Sequence, residues 1–128
     1  MGRDALTDRE LDIMSVLWRN GSGTVSEVRE ELADEVGYTT VLKILQILEE
    51  KRAIRHETEG RAYRYHPLIA PEEEGGRAMS KILDKIFHGS AELMLARLVN
   101  DPKVSPDDIE RMRCLLEDAA NRAGEDDR

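Results

Sequence analysis

The chain begins as apolar residues at helical spacing, interrupted by short polar breaks. Leu6 precedes Thr7-Asp8-Arg9-Glu10, and Ile13, Met14 and Leu17 follow three and four residues apart, with Leu11, Val16 and Trp18 widening the stripe. Thr7 with Glu10 is a capping-box signature, in which the hydroxyl and the carboxylate each accept a backbone N–H that the first turn leaves unpaired. The pattern predicts a helix over residues 8–19, ended by Asn20-Gly21-Ser22-Gly23. The same signature returns in Thr24-Val25-Ser26-Glu27, opening a shorter helix with Val25, Val28, Leu32 and Ala33 on its apolar side. Asp34-Glu35-Val36-Gly37 then reads as a turn. A third helix over about 39–51 carries Val41, Ile44, Leu45 and Leu48, with Leu42 and Ile47 enlarging the buried arc.

After Lys51 the period changes from that of a helix to that of a strand. Residues 53–58 and 63–66 alternate, and Glu59-Gly60-Arg61 between them makes a tight reversal. Two helices joined by a glycine-containing turn, preceded by another helix and followed by a hairpin, give the order of a winged helix-turn-helix over residues 6–70.

The second half returns to helices. Pro71-Glu72-Glu73-Glu74 suits a helix start, where proline is tolerated and acids face the positive end of the dipole. Ile82, Leu83, Ile86 and Phe87 form its stripe, which stops at His88-Gly89. Ser90 caps a helix carrying Leu93, Met94, Leu95, Leu98 and Val99, ended by Asn100-Asp101-Pro102. Ser105-Pro106-Asp107-Asp108 opens the last helix, with Ile109, Met112, Leu115, Leu116 and Ala119, and fraying is expected over 122–128. Three short amphipathic helices over 71–121 are too small to enclose a core in one copy, so they read as half of an interface. The fold class is mainly α with a small β-hairpin wing: a winged helix-turn-helix followed by a C-terminal three-helix dimerisation region.

Charge sharpens this reading. The net charge of −8 over 128 residues argues against a protein that coats nucleic acid indiscriminately. Within 38–66, however, Lys43, Lys51, Arg52, Arg55, Arg61 and Arg64 outnumber Glu49, Glu50, Glu57 and Glu59. A locally basic patch on an acidic body can dock on DNA while the body discourages wrong orientations. Tyr38, Thr39, Thr40, Lys43 and Gln46 make up the polar side of the third helix. The threonines suit phosphate or a thymine methyl, Gln46 adenine, and Lys43 guanine or phosphate. Arg61 at the wing tip, with Arg55 and Arg64 on its strands, can straddle phosphates or enter a minor groove. The same residues also describe a solvated helix face, its cap and an ordinary charged hairpin. Tyr63 and Tyr65 share one strand face, so at least one is expected to pack against the helices, and Trp18 is expected in the core or a subunit contact.

Catalysis finds little to use. His56, His66 and His88 lie in no constellation with metal spacing, no serine or cysteine has a base at a predictable distance, and no phosphate-cradling glycine pattern occurs. No enzyme activity, cofactor or metal is expected. Cys114 is the one cysteine, and neither a signal peptide nor an apolar run of membrane-spanning length is present, which fits a cytoplasmic protein without membrane insertion.

The segments LTDRELDIMSVLWRNGSGTVSEVREEL, YTTVLKILQILEEKRAIRHETEGRAYRYHPL and KIFHGSAELMLARLVNDPKVSPDDIERMRCLLED resemble the penicillinase repressor family (BlaI/MecI/CopY) over residues 6–118. The resemblance implies an N-terminal winged helix that binds a palindromic double-stranded DNA operator and a C-terminal three-helix region that makes the homodimer. Carried over, the operator-facing positions are Thr39, Thr40, Lys43, Gln46 and Arg61. The dimer stripe is Ile82, Ile86, Leu93, Leu98, Ile109, Met112 and Leu116. It further implies relief of repression through a membrane sensor metalloprotease pathway, with cleavage in the second helix of the dimer region. The position of the family's Asn-Phe bond is taken here by Arg97-Leu98. Lys43 and Gln46 stand where relatives often have threonine and arginine, which implies a different operator, and Arg52 replaces a glycine frequent before the first wing strand. The cysteine pairs of the copper-responsive branch are reduced to Cys114. Two rivals to a DNA-binding repressor remain open at this point. One is a winged-helix adaptor that turns its acidic surface toward a basic protein; the other, a small-molecule sensor, lacks an evident polar pocket.

Overall fold

A computed structural model describes residues 5–126. The elements run α1 (Asp8–Asn20), β1 (Gly23–Thr24), α2 (Val25–Glu31), α3 (Tyr38–Glu50), β2 (Ile54–Glu59), β3 (Ala62–Pro67), α4 (Pro71–Lys85), α5 (Ala91–Val99) and α6 (Pro106–Asp126). Both expected capping boxes form. Thr7 Oγ1 accepts from Glu10 N at 3.2 Å while Glu10 Oε1 accepts from Thr7 N at 2.9 Å. Thr24 and Glu27 repeat the exchange at 3.2 and 3.3 Å. Gly21 ends α1 in the left-handed region, its N–H donating to Leu17 O.

The hairpin acquires a third strand that the sequence did not announce. The sheet order is β1-β3-β2, all antiparallel, with Gly23 opposite Tyr65 and Thr24 opposite Arg64. β1 is two residues long, and it is a strand because β3 supplies its partners. A Cβ on Gly23 would stand 3.2 Å from Val28 Cγ2 and 3.3 Å from Leu17 Cδ2, so the close approach of β1 to α1 and α2 favours glycine.

The three helices and the sheet bury one core. Ile13, Met14 and Leu17 of α1, Val28 of α2, Val41, Leu45 and Leu48 of α3 and Ile54 of β2 are fully enclosed, and Tyr65 of β3 joins them. These are the stripes that periodicity picked out, each aliphatic contributing about 1.5–3 kcal/mol by leaving water. α3 closes in a Schellman turn: Ala53 N donates to Leu48 O at 2.9 Å and Arg52 N to Glu49 O at 3.0 Å, with Arg52 at φ 63. That left-handed position usually goes to glycine.

The unit does not stop at residue 70. Trp18 Nε1 donates to Ile69 O at 2.8 Å, and the buried Glu74 accepts from Leu6 N at 3.2 Å. The first compact unit therefore extends to Met79 and the second begins at Ser80, which moves the expected division from residue 70 into α4. The second unit has little interior of its own. Ile82, Ile86, Leu93, Leu98, Ile109, Leu115 and Leu116 are all exposed, and no residue of α5 is buried. α6 continues past residue 121, where fraying was expected, as far as Asp126. Ala119, Ala120 and Ala123 have the highest helix propensity and carry the helix across Gly124; residues 127–128 of the expected tail lie outside the described residues.

Candidate nucleic-acid interface

The core fixes which side of α3 is free. With Val41, Leu45 and Leu48 turned inward, Thr39, Thr40, Lys43 and Gln46 fall on the exposed side, and Tyr38 stands half-exposed at the N-terminus. The N-cap is Gly37, which offers no side-chain acceptor to the first-turn N–H groups. The preceding turn contributes Asp34, but Arg9 of α1 grips that carboxylate with both terminal nitrogens, at 3.0 and 2.9 Å. The pairing holds the Asp34 carboxyl below its ordinary range and offsets an acid placed close to the helix start.

Ion pairing sorts the basic residues of 38–66. Lys51 donates from Nζ to both oxygens of Glu10, at 2.8 and 3.0 Å. Burial pushes the Glu10 carboxyl up, but hydrogen bonds from Lys51 and Thr7 outweigh it and leave it below the usual glutamate value. Arg55 pairs with Glu57 at 2.7 Å and lowers that carboxyl. Arg64 lies between Glu59 and Glu27, whose hydrogen bonds raise its already high pKa. Lys43, Arg52 and Arg61 have no carboxylate within ion-pair distance among the described residues. Lys43 is on the exposed side of α3 and Arg52 at its C-terminal end. Arg61 is at the tip of the hairpin, next to Gly60 at φ 62.

The two wing tyrosines separate as strand geometry required of at least one. Tyr65 is buried, and burial raises its phenol pKa. Tyr63 is half-exposed, its ring centroid 4.4 Å from that of His56. His56 Nδ1 lies 2.7 Å from both carboxylate oxygens of Glu49, tying β2 to the last turn of α3. Trp18 is half-buried against the core. Sequence reasoning missed the acids that organise this surface. The capping boxes identify Glu10 and Glu27, but no local signal shows that each also binds a cation from a distant element.

A small domain that turns the polar side of one helix and an arginine-tipped hairpin to solvent belongs to the winged-helix class of DNA-binding transcriptional regulators. Residues 6–118 match the penicillinase repressor family, and the chain belongs to it. It is 27% identical over 122 residues to the penicillinase repressor of Bacillus licheniformis, which spans 94% of this chain and 95% of that protein. The transcriptional regulator BlaI of Mycobacterium tuberculosis is 30% identical over 115 residues, spanning 87% of this chain and 82% of its own. Among solved structures, the DNA-binding domain of the repressor BlaI matches 57% of this chain and 93% of that domain, with a TM-score of 0.50 and 32% identity. The family is one of transcriptional repressors, not of enzymes. Among the described residues no helix is long and apolar enough to cross a membrane.

Proposed function

We propose that the chain represses transcription as a homodimer on a palindromic operator, each protomer reading one half-site. The observation that carries this reading is the pairing census of the winged helix: Lys43 on the open side of α3 and Arg61 at the wing tip keep free charges, while three neighbouring cations are neutralised. In this reading α3 enters the major groove with Tyr38, Thr39, Thr40, Lys43 and Gln46 facing the duplex, and Arg61 reaches the flanking backbone or minor groove. Arg55 is engaged by Glu57 and contributes less than Arg61.

The helices after Met79 supply the surface on which the second protomer packs. Ile82, Ile86, Leu93, Leu98, Ile109 and Leu116 are exposed in a single chain, with Met112 half-buried among them, and apolar surface of this kind is rarely left open to water. Joining two weak readers raises the effective concentration of the second binding event. Cleavage between Arg97 and Leu98, triggered by a membrane sensor metalloprotease pathway, would end repression. Leu98 belongs to the proposed dimer stripe, so the bond opens to a protease when the protomers part: in a single chain both residues are exposed and α5 buries no residue. Scission there separates α6 from the DNA-reading unit.

The test is an unbiased selection of duplexes bound by the full chain, followed by affinity against salt concentration. A two-fold-symmetric sequence should emerge, and Lys43→Ala should lower the salt slope by about one phosphate unit. Recovery of no preferred sequence would instead favour the protein-adaptor reading.

A further inference from the structure

The three wing arginines have different hydrogen-bonding states, and that of Arg64 is complete. A guanidinium offers five N–H donors. Arg64 Nε donates to Glu59 Oε1 at 3.0 Å; Nη2 donates to Glu59 Oε2 at 3.0 Å and to Glu27 Oε2 at 2.9 Å. Nη1 donates to Glu27 Oε1 at 3.0 Å and to Ser22 Oγ at 3.2 Å. Every donor is used, and the side chain is 24% exposed. A phosphate could approach only by displacing a bidentate carboxylate, and it would meet two acids against one cation.

The anchoring points explain what the arrangement does. Glu59 is the last residue of β2, directly before the Gly60-Arg61 tip. Glu27 is immobilised as the capping-box residue of α2, with Oε1 also accepting from Thr24 N. Thr24 is the β1 residue opposite Arg64. A two-stranded hairpin is only marginally ordered by itself, and β1 holds this one through two residues.

We propose that Arg64 is a positioning residue rather than a phosphate contact: it clamps the wing tip, through Glu59, to the start of α2, through Glu27. It thereby fixes the pitch at which Arg61 meets DNA. The inference rests on the DNA-reading function proposed above. With the clamp closed, the ordering of the wing precedes binding; without it, that ordering must be supplied during binding and Arg61 loses its effect.

The experiment uses the full chain and the duplex recovered by selection, comparing Arg61→Ala, Arg64→Gln and their combination, together with Glu27→Gln. Glutamine preserves the capping box. Arg61→Ala and Arg64→Gln are each expected to lower affinity by about threefold to tenfold and the salt slope by about one, and the double variant to match the single ones. Glu27→Gln is expected to weaken binding as well, although it removes a negative charge. Multiplying losses with a slope reduced by two, or tighter binding by Glu27→Gln, would make Arg64 a phosphate contact and overturn the proposal. Amide hydrogen exchange on the DNA-free chain provides a separate measurement. Arg64→Gln should accelerate exchange in β1, β2 and β3 and leave α1 and α3 protected. Unchanged exchange would refute the clamp even if the chain bound no DNA. If the wild type shows no DNA binding at any salt, the repressor reading and the positioning role fall together, whatever the exchange rates show.

Discussion

Replacing Lys51 by methionine should destabilise the winged helix while leaving its contacts with DNA alone. Removing one partner of a fully buried ion pair costs about 3–5 kcal/mol. Here Glu10 is nearly enclosed, Lys51 keeps some solvent contact, and the stranded carboxylate retains its hydrogen bond from Thr7 N. A loss of about 2–3 kcal/mol follows. Against a total of about 4–12 kcal/mol for a unit of this size, that lowers the melting temperature by on the order of 10 °C. Trp18, the one tryptophan, sits in α1 and reports on this unit, so urea unfolding followed by its fluorescence at fixed protomer concentration measures the effect. The pH dependence provides a second check. The folded-state pKa of Glu10 is depressed in the wild type, so its stabilising contribution is present above the unfolded value, near 4.5, and is lost as pH falls through the lower folded value. In Lys51→Met the cost of burying the charged carboxylate is no longer offset by the ammonium, and protonation relieves the variant. The gap between the two proteins should therefore narrow as pH falls from neutral, first as the variant is relieved above about 4.5 and then as the wild type loses its contribution below it, and Glu10→Gln in the variant should recover part of the loss at neutral pH. A loss under about 0.5 kcal/mol, or a gap unchanged between neutral and acid pH, would refute the assignment of Lys51 to the interior.

Arg52→Gly should raise stability by about 0.5–1 kcal/mol in the same urea assay, because relief of the left-handed backbone at φ 63 exceeds the added freedom of the unfolded chain. Gly23→Ala should cost about 1–3 kcal/mol, since the new methyl meets Leu17 and Val28, which are fully enclosed and cannot give way. Leu98→Glu should shift the chain to monomer in sedimentation equilibrium while its Trp18 unfolding midpoint, compared at low protomer concentration, stays within about 0.5 kcal/mol of the wild type. A dimer that persists would remove Leu98 from the proposed interface.

The helices were legible because their signals are local. Thr7 with Glu10 and Thr24 with Glu27 mark two helix starts within four residues each, and the spacing of Val41, Leu45 and Leu48 already says which side of α3 is left over. β1 was not legible, because a two-residue strand has no periodicity and exists only by pairing with residues some forty positions later. The same limit explains the wing. Arg55, Arg61 and Arg64 look alike in a list of basic residues, and what separates them is whether a carboxylate from another element arrives beside them. Glu27 reaches Arg64 across 37 residues of chain and Glu10 reaches Lys51 across 41, distances over which sequence spacing carries no information. The unit boundary moved for a related reason: Glu74 reads as one acid among three at a helix start, and nothing local shows that it accepts from the N–H of Leu6 and so ties the first turn of α4 to the winged helix.

The double engagement of Glu10 and Glu27 also couples the two helix starts to distant parts of the domain. Each glutamate closes a helix and holds a cation at once, Lys51 at the end of α3 or Arg64 in the wing. Neither start can therefore fray as an isolated first turn without releasing the element it holds. The ends that open first in most helices are here built into the cooperative unit.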